Sequence, residues 1–372
     1  MFLLLTADSW AQRANRPLIV LSVDHALQPE SAAWLSRCAE VAARLDRPFT
    51  PLRWTGGKPS SGLPAAARLA RHRLLADAAR IAGASVILLG HTADDVLEAQ
   101  AMRAAGSTTP DPREWAPSPV WPEGRGVFLL RPLLGLRRTD IRAALQTTGE
   151  AWIEDPANED PRYARARARQ ASPQGVAEIA GDAPLALAAE AREALSAITL
   201  PRGRLRQASS ADAARFLSLA SVCAGGGARL PRGAQVDRLT ERLRGSTPLV
   251  ATLAGGRIIA SADEVSIQRE QGEARRGGLA PIRMADDGER VWDGRFLIRA
   301  AVGEVRSLHG LMKRLPRDQA AAVARLPGPV RSGLPAMICG DAASCLALDG
   351  RAQSLVGARL AAAAGLVDRE PD

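Results

Sequence analysis

A short apolar segment that ends in glycine and opens into an acid-rich stretch constrains this chain most. Ser85-Val86-Ile87-Leu88-Leu89-Gly90 runs directly into His91-Thr92-Ala93-Asp94-Asp95-Val96-Leu97-Glu98. A brief continuous apolar run reads as a strand of a parallel sheet, buried on both faces. The carboxyl end of such a strand, where a helix starts, is where open α/β sheets hold ligands. One imidazole and three carboxylates are gathered there within eight residues. Asp95 and Glu98 lie three apart and share a helix face, which Met102 continues. Such a cluster suits Mg²⁺ or a cationic amine beside a nucleotide. The plainer alternative is that Asp94 and Asp95 only complement the helix N-terminus, a task that needs neither the His nor the Glu.

The flanking sequence repeats this alternation. Strands are predicted at residues 17–23, 49–54 and 127–134, and helices at 29–45, 63–82 and 138–147. Residues 106–126, rich in Pro, Trp and Ser, read as a long irregular connection. From about residue 172 the character changes. Ala/Glu/Leu-rich helical patterns cover 176–198, 211–223 and 235–243. Short β-like runs at 249–253, 257–261, 264–269 and 290–301 suggest an antiparallel module, with 271–278 as a linker. The fold class expected is α/β, a Rossmann-like parallel sheet with helices, followed by a helical segment and a small antiparallel β module.

Composition narrows the function classes. No apolar run approaches the ~20 residues of a membrane helix, and Met1-Phe2-Leu3-Leu4-Leu5 is too short for a signal peptide. Cys38, Cys223, Cys339 and Cys345 are scattered, which argues against a disulfide framework and a zinc or iron–sulfur site. A soluble, cytoplasmic protein is expected. The net charge of +9 points to a polyanion such as nucleic acid. Lys58 and Lys313 are the only lysines, however, so the basicity is arginine, which a GC-rich coding sequence would also produce.

Local clustering has to carry that point. Trp152-Ile153-Glu154-Asp155-Pro156-Ala157-Asn158-Glu159-Asp160-Pro161-Arg162-Tyr163 runs into Arg165, Arg167 and Arg169. Guanidinium forks bind phosphate and the single Tyr can stack on a base, although a salt-bridged helix start explains the pattern equally well. Arg68 and Arg71, three apart, are placed to reach phosphates, or else form an exposed helix face. His25 ends the first strand and is a weaker candidate. Neither G-x-x-x-x-G-K-[ST] nor G-x-G-x-x-G occurs.

Together these stretches resemble the tRNA(Ile)-lysidine synthetases of the PP-loop ATP pyrophosphatase superfamily. The resemblance rests on Val23-Asp24-His25-Ala26-Leu27 with Glu30-Ser31, on Ala67-Arg68-Leu69-Ala70-Arg71-His72, and on Gly90-His91-Thr92-Ala93-Asp94-Asp95 with Glu98 and Met102-Arg103. Arg131-Pro132-Leu133-Leu134 and Asp155-Pro156-Ala157-Asn158-Glu159-Asp160 complete it, in the family's order and spacing over residues 1–170. Ala99 and Ala166 depart from its usual Thr and Asn. The family's S-G-G-x-D-S phosphate loop is not found, and Met1–Leu5 looks like the helix that follows it. The expectation is a chain cut at its amino end by a mis-assigned start codon, with natural truncation as the alternative. The missing strand would be central, so two neighbours would have unpaired ladders and the chain would be unstable, inactive or both.

The resemblance implies a PP-loop catalytic domain over residues 1–170, a helical tRNA- or substrate-binding segment over 171–247 and a small mixed domain over 248–372. It implies ligation of L-lysine to C2 of the wobble cytidine of a CAU-anticodon isoleucine tRNA, through an adenylated intermediate, with ATP and Mg²⁺. Asp95 and Glu98 would handle lysine or Mg²⁺, with Asp95 as the metal ligand, and His91 and Asp94 would shape the nucleotide pocket. Arg68, Arg71 and His25 would serve the cofactor, and Arg162, Tyr163, Arg165 and Arg167 the RNA or the pyrophosphate. A homodimer stays open. Another PP-loop enzyme such as a tRNA thiolase would want a cysteine pair near the pocket, and none is visible. The remaining alternative is a non-catalytic tRNA-binding remnant.

Overall fold

Strands and helices alternate over the first half as the apolar periodicity predicts. The computed structural model describes residues 1–367 except 108–111, 156–157, 163, 172–174, 176, 178, 180–182, 232, 286–287 and 301. It falls into two compact units, Met1–Asp182 and Ala183–Asp372. The first contains α1 (Phe2–Ala14), β1 (Val20–Asp24), α2 (Ser31–Arg44), β2 (Phe49–Arg53), α3 (Leu63–Ile81), β3 (Val86–Leu88) and α4 (Ala93–Ala104). It continues with β4 (Trp115–Pro117), β5 (Phe128–Leu130), α5 (Arg138–Thr147) and α6 (Ala164–Gln170).

The parallel sheet is in two pieces. β1 pairs in parallel with β2, while β3 pairs in parallel with β5, which also takes β4 antiparallel. Among the described residues β1 has no strand partner opposite β2, nor β3 opposite β5. One helix joins the pieces: Leu75 and Ala79 of α3 pack with Ile87, Val127 and Leu129, and Leu21, Val23 and Leu52 pack against them. The 106–126 stretch is not wholly irregular. Trp115 stacks on Phe128 at 4.9 Å and 3°, which secures β4 as an edge strand.

The second unit contains α7 (Ala186–Glu190), β6 (Arg192–Ala194), β7 (Ala197–Pro201), α8 (Arg202–Gln207), α9 (Ser210–Ala224), α10 (Gly233–Arg244), β8 (Leu249–Leu253), β9 (Gly256–Ala260) and β10 (Glu264–Arg269). Of the helix expected over 176–198, part lies outside the described residues, and residues 186–198 instead form the short α7 followed by a hairpin. Leu195 and Ser196, at φ 50° and 68°, form its two-residue turn, a conformation ordinarily supplied by Asn-Gly. Arg295 Nη1 donates to Ser196 Oγ at 2.6 Å, a contact from 99 residues away that local propensity cannot foresee. In α10 the stripe Val236, Leu239, Thr240, Leu243 is buried, following helical spacing.

β10 pairs with both β7 and β9, so one five-stranded sheet spans the boundary expected near residue 247. Residues 183–247 and 248–372 therefore share a unit rather than forming separate domains. Beyond a 3₁₀ turn at Gln271–Arg276, where a linker was expected, come β11 (Ile282–Met284), β12 (Glu289–Trp292), β13 (Phe296–Arg299) and β14 (Gly303–Ser307). Then follow α11 (Arg317–Ala324), α12 (Gly328–Ser332), β15 (Pro335–Cys339), β16 (Ala342–Cys345), β17 (Ala352–Ser354) and α13 (Val356–Ala363). They form two antiparallel sheets around a core that includes Trp292, Phe296, Val305 and Leu334. No described helix is long and apolar enough to cross a membrane.

Candidate functional site

The acidic helix α4 is built by its own carboxylates. Thr92 is its N-cap, in extended conformation, and Asp95 Oδ2 accepts from the Thr92 N–H at 2.7 Å and the Thr92 hydroxyl at 2.9 Å. Asp94 caps a different helix: its Oδ2 accepts from the Arg138 N–H at the start of α5 at 2.7 Å, and its Oδ1 pairs with Arg137 at 3.0 Å. The capping alternative therefore holds in part for both aspartates. Glu98 has no such task. Only 1 % exposed, it accepts from Arg165 Nε (2.9 Å), Arg169 Nε (2.9 Å) and Arg138 Nη2 (3.2 Å). Arg165 bridges to the neighbouring acid as well, through Nη2 to Asp95 Oδ1 at 2.7 Å.

Beside this acidic pair stands a cluster of opposite sign. Arg68, Arg71 and His72 come from α3, Arg131 follows β5, and His91 follows β3. Arg131 Nε donates to His91 Nδ1 at 3.2 Å, which leaves the neutral imidazole its Nε2–H. Burial, then the charges of Arg71, Arg68 and Arg131, push His72 down to about 3. Burial, then Arg131, Arg71, Arg165 and Arg68, do the same to His91, also to about 3. Burial lowers Arg71 to about 10, with Arg68 and Arg165 adding to the effect, and lowers Arg131 to about 10. Arg71 Nε and His72 Nε2 are buried without a hydrogen-bond partner. Guanidiniums that repel one another, half-buried at Arg68 and Arg71 and buried at Arg131, with orphaned polar atoms among them, suit an anion, and clustering of this kind is characteristic of functional sites.

The basic segment after Pro161 divides between the site and the surface. Arg165 and Arg169, one turn apart on α6, face Glu98. Arg162 instead grips Asp160, with Nη2 to Oδ2 at 2.6 Å and its side chain 83 % exposed. Arg167 donates back to the Pro161 carbonyl at 2.7 Å. Tyr163, like Pro156 and Ala157, lies outside the described residues.

A cavity of about 480 Å³ opens at the carboxyl end of β1, lined among others by Val23, Asp24, His25, Leu63, Asp155 and Arg165. Asp24 Oδ1 accepts from the Ala26 N–H at 2.6 Å and turns the chain there. Burial, reinforced by Arg71, lowers the His25 pKa, and its ring meets Trp54 edge-on at 6.4 Å. Gln28 Nε2 spans to Asp155 Oδ1 at 3.2 Å. His25 thus shares a cavity with Arg165, which in turn reaches Asp95 and Glu98.

Mg²⁺ favours free carboxylate oxygens. Both oxygens of Asp95 are engaged by Thr92 and Arg165, and those of Glu98 by three guanidiniums. No group of His, Cys, Asp and Glu suited to a metal occurs among the described residues. The side chains as arranged do not fit a protein-held Mg²⁺ on Asp95.

Sequence reasoning assigned no role to Arg131 or Arg138, and read His72 only as a neighbour of Arg68 and Arg71 on a helix able to reach phosphates. The four-residue spacing of Arg165 and Arg169 could have revealed their common target. Nothing in the sequence shows that Arg138, forty residues on, meets Glu98.

Known proteins place the chain. Residues 1–174 match the family model of a PP-loop domain, one named for ATP binding. A tRNA(Ile)-lysidine synthase of Caulobacter vibrioides is 46 % identical over an alignment that covers 100 % of this chain and 91 % of that protein. The enzyme of the same name from Rhizobium meliloti is 35 % identical across 78 % of this chain and 67 % of its own length. That of Hyphomonas neptunium is 33 % identical across 75 % and 81 %. The matched domain and these relatives show that the chain belongs to the tRNA(Ile)-lysidine synthase family.

Proposed function

We propose that this protein joins L-lysine to the wobble cytidine of a CAU-anticodon isoleucine tRNA at the expense of ATP, as a soluble cytoplasmic enzyme. The observation that carries the reading is the pairing of two opposite charge clusters. The acid pair Asp95–Glu98 suits an ammonium group, and the Arg68–Arg71–Arg131 cluster suits a polyphosphate. The cavity at the carboxyl end of β1, lined by the apolar Val23 and Leu63 together with Asp24 and His25, suits the nucleotide's base.

Cytosine O2 is a poor leaving group. Its attack on the α-phosphorus forms an O–P bond and releases pyrophosphate, whose charge Arg68 and Arg71 take up. The lysine ε-nitrogen then bonds to C2 as the C2–O2 bond breaks and AMP departs with the oxygen. The amine must shed protons to attack, and Asp95 is assigned to receive one. His91, neutral, donates from Nε2 to the nucleotide. Asp94 acts through α5, which it caps, rather than on substrate. Mg²⁺ has no place on Asp95 in this reading. Arg162, Arg167 and Tyr163, with residues 171–247, are assigned to the tRNA.

The test is transfer of radiolabelled lysine to CAU-anticodon tRNA in the presence of ATP. Removing a positioned proton acceptor costs about 10²–10⁴ in rate, so Asp95→Asn is expected to lose at least about a hundredfold. Wild-type transfer by that variant, or no transfer by the unmodified protein, refutes the assignment.

A further inference from the structure

Two carboxylates at this site face three guanidiniums, so the acid pair is already more than neutralised before any substrate arrives. An incoming ammonium would leave four cations on two anions unless one departs. Arg165 is the one that bridges both acids, at 2.7 Å to Asp95 and 2.9 Å to Glu98, and its side chain is the most exposed of the three, at 40 % against 27 % for the others. Arg138 is tethered through its own N–H to Asp94, and Arg169 touches Glu98 alone among the acid pair.

We propose that Arg165 is an exchangeable counter-cation. The ε-ammonium of lysine replaces its guanidinium on Asp95 and Glu98, and the released guanidinium joins Arg68 and Arg71 on the polyphosphate. The inference rests on the assignment of the acid pair to lysine and of the arginine cluster to phosphate. Its physical basis is that Arg165 is shared. Its charge already acts on Arg68, Arg71 and His91, so turning towards them is unfavourable until an anion is there. A bound polyphosphate removes that obstacle, draws Arg165 across and vacates the acid pair. Lysine does the converse. The two substrates therefore strengthen one another's binding through a single side chain, with the reciprocity that linkage requires.

The experiment is calorimetric titration of L-lysine into the protein with and without saturating inorganic pyrophosphate. The lysine Kd is expected to fall about tenfold with pyrophosphate, within the usual range for coupled sites. Lysine should tighten pyrophosphate by the same factor. In Arg165→Gln, lysine binds the phosphate-free protein more tightly and the factor collapses towards one. Gln170→Ala, on the same helix but away from the acid pair, keeps the factor and controls for general loosening of α6, while Arg165→Lys, unable to bridge both acids, gives an intermediate value. A factor that persists in Arg165→Gln, or is missing from the wild type, overturns the exchange. Lysine binding that is identical in Asp95→Asn and wild type, or absent in all conditions, overturns the acid-pair assignment and the exchange with it.

Discussion

Glu98→Gln separates the stabilising role of the acid pair from its chemistry. The substitution keeps the side-chain volume, removes the charge and turns one acceptor into an amide donor aimed at guanidiniums. Hydrogen bonds to a charged group contribute about 1.5–3 kcal/mol each when buried. Arg138, Arg165 and Arg169 are 27–40 % exposed and can turn to water, so each contact is discounted to about 1 kcal/mol. Three contacts give about 3 kcal/mol, which for a unit of roughly 180 residues lowers its Tm by about 6–12 °C. Scanning calorimetry should show the transition of the first unit moving by that amount and that of the second unit staying in place. Glu98→Asp, which retains the charge but shortens the reach, should fall between. A transition within about 1 °C of wild type would show that the guanidiniums gain as much from water as from Glu98, and would refute a stabilising role for the three contacts.

Two further expectations concern stability. His72 and His91, ordinarily near 6.5, are held at about 3 when folded, so both stay neutral while the unfolded chain takes up protons. Stability is then complete above pH 6.5 and is lost as pH falls from 6.5 towards 3, at up to about 1.4 kcal/mol per pH unit for each histidine. The urea midpoint should drop between pH 7 and 5, and His72→Asn should make that drop smaller; equal midpoints at the two pH values would refute the shifts. Asp94→Ala, which uncaps α5, should cost about 1 kcal/mol in thermal melts, whereas Asp94→Asn, a competent cap, should cost less than half of that. Equal losses would mean that the Arg137 ion pair, rather than the cap, is what Asp94 contributes.

Much of the first unit was legible in the sequence. α3 and α5 follow from helical periodicity and β3 from its short apolar run, and the acid-rich start of α4 marks its own N-terminus. The spacing of Asp95 and Glu98 correctly put them on one face. What could not be read is which cations meet them. Arg138 reaches Glu98 only because Asp94 fixes the start of α5, and that closure depends on tertiary geometry. The helix expected over 176–198 failed for a related reason. Alanine and leucine favour helix weakly, while a distant arginine and two residues in left-handed conformation set the hairpin.

Arg202 is fully enclosed and donates to the carbonyls of Leu243, Ser246, Ser261, Arg242 and Thr247, closing the end of α10 onto the turn between β9 and β10. Arg269 and Arg295, also enclosed, share Asp293. These guanidiniums replace water as the partners of main-chain oxygens, so their charge is spent inside the second unit. An isoelectric point reckoned from the sequence consequently overstates how strongly the outer surface of this protein attracts a nucleic acid, and its affinity for tRNA should fall less steeply with salt than the arginine count implies.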